Sequence, residues 1–181
     1  MNAHSKDLAL IAKALRFASE KHVNQRRKDA AASPYINHPI RLFDLLVSVG
    51  LDDPAVLCAA LLHDTVEDTA TTKEELEAQF GPAIASIVAE VTDDKSLPKA
   101  ERKRQQIVHA ASISAEAKLV KLADKIANLQ DVITSPPDRW DLARRQDYFD
   151  WAKHVVDRLR GAHPGLEALF DEVFARRPTA V

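Results

Sequence analysis

Apolar and polar residues alternate along this chain with the period of an α-helix almost from end to end. Leu8, Ile11, Ala12, Leu15 and Ala18 fall on one face of the segment from Lys6 to His22, which predicts an amphipathic helix. A second is predicted from Pro39, a residue suited to a first helical turn, with Ile40, Phe43, Leu46 and Val47 as its buried face and Gly50 as its stop. Asp53-Pro54 reads as a cap and first residue of a third helix, about 54–68, whose first half is apolar nearly all round. Thr72 and Glu75 fit a capping box for a short helix ending near Gly81, and Pro82 to Val91 follows as another. Asp93 to Leu97 is a polar loop. Pro98 opens a charged helix to about Ala110, and Ser114 can cap the next, which Pro136-Pro137 breaks. Arg139 to Arg160 reads as a long helix with a stripe at Tyr148, Ala152, Val155 and Leu159, and Pro164 to Arg176 as a terminal one.

Gly is scarce, at 4 residues, which disfavours hairpins and Gly-rich phosphate loops and supports an all-α fold. A length of 181 residues is enough for one domain with a sizeable core, so residues 1–181 are expected to form a single unit. The formal net charge of -2 gives no overall basic footprint for nucleic acid. Cys58 is the lone cysteine, which excludes an intrachain disulfide and a thiolate-rich zinc site. No apolar run is long enough to span a bilayer and no signal pattern opens the chain, so a cytoplasmic protein with no membrane partner is expected.

The third helix ends in Leu61-Leu62-His63-Asp64-Thr65-Val66-Glu67-Asp68-Thr69. On a continuous helix His63 would neighbour Glu67, and Asp64 would neighbour Asp68. The plain reading is a helix end running into solvent; the alternative is a metal site, because buried charges need partners or an ion. Two more residues bear on the choice. His38 stands at a helix start beside Pro39, where a hydrogen-bonding role is the ordinary one. Asp124 sits within the apolar Leu119-Val120-Lys121-Leu122-Ala123, where pairing with Lys121 or Lys125 is the ordinary explanation. Together His38, His63, Asp64 and Asp124 make a nitrogen and oxygen donor set suited to Mn²⁺, Fe²⁺, Co²⁺ or Zn²⁺. A metal held so would lower the pKa of bound water, with Glu67 and Asp68 as acid/base candidates.

These residues follow the H…HD…D pattern of the HD phosphohydrolase superfamily. The stretches Arg26-Arg27-Lys28-Asp29, Pro34-Tyr35-Ile36-Asn37-His38-Pro39, Leu61 to Thr69, Glu90-Val91-Thr92-Asp93-Asp94-Lys95 and Lys118 to Lys125 resemble the hydrolase domain of the RelA/SpoT family. Among these the chain is most similar to the stand-alone small alarmone hydrolases, the metazoan branch included. The resemblance implies an HD-domain helical bundle and Mn²⁺-dependent removal of the 3′-pyrophosphate from ppGpp or pppGpp. It implies His38, His63, Asp64 and Asp124 as metal ligands, Glu67 and Asp68 as the pair acting on the attacking water, and Arg27, Lys28, Asn128 and Tyr148 along the nucleotide pocket.

Lys99 and Lys121 are further substrate-binding candidates as cations for a polyphosphate, although the Lys99–Arg104 run also suits a solvated helix face. Relatives commonly carry an aromatic or His before the Asn and an Arg two residues after it, where this chain has Ala127 and Gln130. No synthetase domain fits in the remaining residues, so hydrolysis without synthesis is expected. Two other readings stay open: an HD phosphatase acting on another nucleotide such as NADPH, and a catalytically silent nucleotide-binding regulator. His22, His109, His154 and His163 have no partner pattern and read as structural or exposed.

Overall fold

A computed structural model describes residues 3–180. Its helices are α1 (Ala3–Lys21), α2 (Asn37–Ser48), α3 (Pro54–Leu62), α4 (Thr65–Asp68), α5 (Lys73–Phe80), α6 (Pro82–Val91), α7 (Lys99–His109), α8 (Ala115–Thr134), α9 (Leu142–Val156) and α10 (Pro164–Ala175). Among the described residues there is no strand, and none of the helices is long and apolar enough to cross a membrane. The fold is all-α, as the periodicity requires.

Two helices organise the rest. Every residue of α3 from Val56 to Leu62 is buried, and the helix packs against α1, α2, α6 and α8. An apolar surface on all sides of a helix is stable only with neighbours on all sides. The other central helix, α8, touches α2, α3, α6, α9 and α10, burying Val120, Leu122, Ile126 and Leu129. Full burial of each large side chain contributes about 1.5–3 kcal/mol. The buried apolar residues form one cluster running from Ala14 to Val173.

The helix ends follow the expected chemistry. Asp53 accepts from the Ala55 amide at 2.8 Å with Pro54 as first helical residue, and the Ser114 hydroxyl accepts from Ala117 at 3.1 Å. Gly50 adopts φ +87°, and the Gly50 and Leu51 amides return to the Val47 and Leu46 carbonyls, a Schellman stop that a left-handed residue makes possible. Thr72 accepts from Glu75 at 3.2 Å, but the Glu75 carboxylate pairs with Lys21 at 2.8 Å instead of closing the capping box.

Three expectations are corrected. The buried face of α2 is His38, Pro39, Leu42, Leu45 and Leu46, while Ile40 and Val47 are 41% and 45% exposed. The helix begins at Asn37, so His38 takes a core position in its first turn and turns the stripe away from Ile40. The segment 54–68 is not one helix: it breaks at His63-Asp64 between α3 and α4. The hydroxyl of buried Thr65 donates to the Leu62 carbonyl at 2.7 Å, a local bond that competes with the helical ladder. The long helix after the double proline begins at Leu142, capped by Asp141 onto the Arg144 amide at 2.8 Å, rather than at Arg139. Arg139 has φ +66°, and the Asp138 amide donates to the Lys28 carbonyl at 2.7 Å. The α8–α9 connection is thereby tied to the loop bearing Arg27 and Lys28.

Candidate metal centre and nucleotide pocket

The break after Leu62 shapes the site. It lets His63 point inward from the end of α3 while α4 restarts with Glu67 and Asp68. The His63 Nδ1 lies 2.8 Å from the Ala60 carbonyl, a contact that places a proton on Nδ1 and would leave Nε2 to a metal once its own proton is lost. That Nε2 is buried without a hydrogen-bond partner, 2.9 Å from Asp64 Oδ2. His38, from the first turn of α2, brings its Nε2 to 3.2 Å from Asp124 Oδ1 and 3.9 Å from Asp64 Oδ2. One ligand atom each of His38, His63 and Asp124 lies within 4.8 Å of the others. Two imidazoles and two carboxylates converge there, which fits a divalent cation of the nitrogen and oxygen class.

The surrounding groups hold these donors. Asp124 receives Lys125 at 2.9 Å on Oδ2 and Asn128 at 2.5 Å on Oδ1. Asp64 accepts the Tyr35 hydroxyl. Lys125 is itself buried, 4.6 Å over the Trp151 ring. Burial opposes the charge on Asp124, yet Lys125 holds its carboxyl well below the usual range. Burial likewise opposes ionisation of Asp64, and the His63 charge overcomes it. Burial pulls the His63 pKa down, but Asp64 raises it to about 9, whereas burial dominates at His38 and lowers its pKa. Burial raises Tyr35, so it stays a phenol that donates.

Glu67 and Asp68 stand at the mouth of this cluster. Burial, then the Asp64 charge, push Glu67 up to about 7. Its Oε2 accepts the Asp93 amide at 3.1 Å and its Oε1 lies 3.8 Å from Arg102. Asp68 accepts Gln25 Nε2 at 2.8 Å on one oxygen and Lys95 on the other.

Outside the donors opens a cavity of about 780 Å³, large enough for a nucleotide. Arg27, Lys28, Lys99, Asn128, Tyr148, His38, Glu67 and Asp68 all line it. Lys121 does not: it borders an inner space of about 190 Å³ beside the donor cluster, buried and donating to the Val91 carbonyl at 3.2 Å. Lys99 lies on the pocket side of α7, where partial burial lowers its pKa. Sequence reading passed over Gln25, Tyr35, Arg41, Asp131 and Trp140. Tyr35 alone had a signal, lying three residues before His38. Gln25, Arg41 and Asp131 are tied to the cavity wall by pairings distant in sequence, Gln25 to Asp68 and Arg41 to Asp131. The remaining histidines include two with structural partners: His22 is buried with Nδ1 2.6 Å from Gln25, and His163 caps α10 by accepting from Leu166 at 3.2 Å.

A family model described as HD domain matches residues 14–148. The chain belongs to the HD-domain family. Among HD relatives, the guanosine-3′,5′-bis(diphosphate) 3′-pyrophosphohydrolase MESH1 of Xenopus tropicalis is 54% identical over 178 residues, 98% of this chain and 99% of the relative. The Homo sapiens MESH1 is 49% identical over 172 residues, 94% and 96% of the two chains. A solved HD structure, described as a metazoan ortholog of SpoT that hydrolyzes ppGpp and plays a role in starvation responses, superposes with a TM-score of 0.90. It shares 50% identity over 93% of this chain and 96% of that one. Divalent metal binding is common to HD hydrolases, and His38, His63 and Asp124 could hold such an ion here.

Proposed function

We propose that this protein is a guanosine-3′,5′-bis(diphosphate) 3′-pyrophosphohydrolase that uses Mn²⁺ and releases pyrophosphate from ppGpp or pppGpp. The observation that carries the reading is a polyanion-sized cavity, walled by cations, opening onto two buried imidazoles and two partly buried carboxylates, with a carboxylate pair at its rim. Near-full-length similarity to the MESH1 hydrolases supports the same substrate.

In this reading His38, His63, Asp64 and Asp124 hold the metal. A divalent cation bound there supplies Lewis acidity and a water acidified toward neutral pH. The protein does the rest. Glu67, with a pKa near neutrality, is poised to take a proton from the attacking water and pass it on. Asp68, held by Gln25 on one oxygen and Lys95 on the other, supplies the second carboxylate of the rim beside Glu67 and helps orient that water. Arg27, Lys28 and Lys99 hold the phosphates electrostatically. Asn128 links Arg27, at 3.4 Å, to Asp124, so substrate binding and donor geometry share one side chain. Tyr148 offers a ring face at the cavity wall beside Trp140. Lys121, held in the inner space, balances the negative charge of Asp124 and Glu67 next to the reacting phosphate.

The test is product analysis with metal-stripped protein refilled with Mn²⁺, offered ppGpp, pppGpp and NADPH at equal concentration. The reading predicts pyrophosphate with GDP or GTP. Orthophosphate from NADPH with no pyrophosphate from ppGpp would replace it with the phosphatase reading, and tight binding without turnover would replace it with the regulator.

A further inference from the structure

A carboxylate on the wall of a polyphosphate pocket is unfavourable unless it serves another purpose. Asp131, on α8, lines the 780 Å³ cavity and is mostly buried. Its two oxygens are divided between two guanidiniums that come from different parts of the fold. Arg27, in the loop after α1, places Nη2 2.5 Å from Oδ2. Arg41, on α2, places Nη1 on Oδ1. Two cations on one anion leave the cluster with net positive charge facing the cavity.

The two arginines are held differently. Arg27 is 20% exposed and also meets Asn128 at 3.4 Å and the Tyr35 ring at 5.7 Å, so it is fixed on three sides. Arg41 is 41% exposed, and Asp131 is its one ion-pair partner among the described residues. The Arg41 end of that pair is open to water and screened by it, so a ligand can take over part of its fork at small cost. A guanidinium has five donors in a planar fork that matches phosphate, and a single contact to Asp131 occupies only part of it.

We propose that Arg41 is a further phosphate-binding residue of this pocket, and that Asp131 is the positioning residue that aims Arg41 and Arg27 at the incoming polyphosphate. The substrate phosphate takes a share of the Arg41 fork while Arg27 stays fixed between Asp131 and Asn128. The proposal rests on the pocket being a polyphosphate site, as read above, but not on which nucleotide is turned over.

The experiment pairs kinetics with binding. KM and kcat for ppGpp are measured on Mn²⁺-loaded wild type, Arg41→Ala, Arg41→Lys and Asp131→Asn. Calorimetry of ppGpp and of inorganic pyrophosphate is run on the same proteins without metal, and thermal melts report folding. Arg41→Ala is expected to raise KM and weaken metal-free binding about tenfold with little change in kcat, with Arg41→Lys intermediate. Asp131→Asn is expected to weaken binding as well, since both forks lose their anchor, and to do so without loss of the melt. Unchanged KM and binding in Arg41→Ala would overturn the phosphate role. Tighter binding in Asp131→Asn would show that the carboxylate merely repels substrate, and would overturn the positioning role. Should wild type bind ppGpp without cleaving it, the functional reading fails while calorimetry still judges Arg41.

Discussion

Replacing Asp64 with Asn isolates the charge that the donor cluster carries without metal. In wild type the Asp64 carboxylate sits 2.9 Å from His63 Nε2 and raises the imidazole to about 9 against an unfolded value near 6.5. A rise of that size corresponds to about 3 kcal/mol, counted once for the pair. Because the folded value lies above the unfolded one, this stabilisation is complete below about pH 6.5 and is lost as pH climbs through 9. Asp64→Asn removes the largest of the charges that raise His63, so burial weighs more against the imidazolium and the variant lacks most of that decline. The assay is chemical denaturation of metal-stripped wild type and variant from pH 6 to 9.5, read as the difference between the two curves so that other titrating groups cancel. Wild type should lose about 2–3 kcal/mol more than Asp64→Asn over this range. Loading Mn²⁺ should abolish the difference in slope, because a liganded imidazole cannot take the proton, and Mn²⁺ affinity for wild type should rise with pH as that proton leaves. Parallel curves for the two metal-free proteins would refute the electrostatic account of the pair.

Glu67→Gln should lower kcat by about 10²-fold or more, with ppGpp binding by calorimetry retained, since it removes a proton acceptor and little else. Thr65→Val keeps the shape of buried Thr65 but strands the Leu62 carbonyl; denaturant midpoints should fall by about 1–3 kcal/mol equivalent, and turnover should fall further because the α3–α4 break positions His63 and Glu67. Phe149→Ala, at a fully buried position of α9, should cost about 3–5 kcal/mol by the same denaturation assay while leaving the donor set in place.

Most of the helices could be read from the sequence because their signals are local. Asp53-Pro54, Ser114 and Gly50 act within a few residues, and the periods of α1, α6 and α10 need no tertiary information. The errors arose where a polar residue took a core position or a side chain redirected the backbone. His38 is buried in α2 because it faces Asp124 and His63, a reason that lies on other helices, so its stripe was assigned to Ile40 and Val47. Thr65 breaks the helix through a hydroxyl that looks ordinary in sequence. His38, His63, Asp64 and Asp124 could be named as candidates because His63-Asp64 ends an apolar run, Asp124 interrupts another, and the resemblance to the HD pattern ordered them. Asp131 and Arg41 were not legible: 90 residues separate them, and each alone is an ordinary surface charge. Lys121, named as a candidate among the pocket cations, lines the smaller space beside His63, Asp64 and Asp124 and not the larger cavity.

In the proposed function His38, His63, Asp64 and Asp124 hold a metal at which ppGpp is cleaved. One titration tests it most directly: Mn²⁺ added stepwise to metal-stripped protein, with bound metal read by electron paramagnetic resonance and pyrophosphate release from ppGpp read on the same samples. Turnover should rise in step with bound Mn²⁺ and level off at one ion per chain, and both signals should be lost in Asp124→Ala. Turnover that is full in the stripped protein, or Mn²⁺ binding that survives in Asp124→Ala, would contradict it.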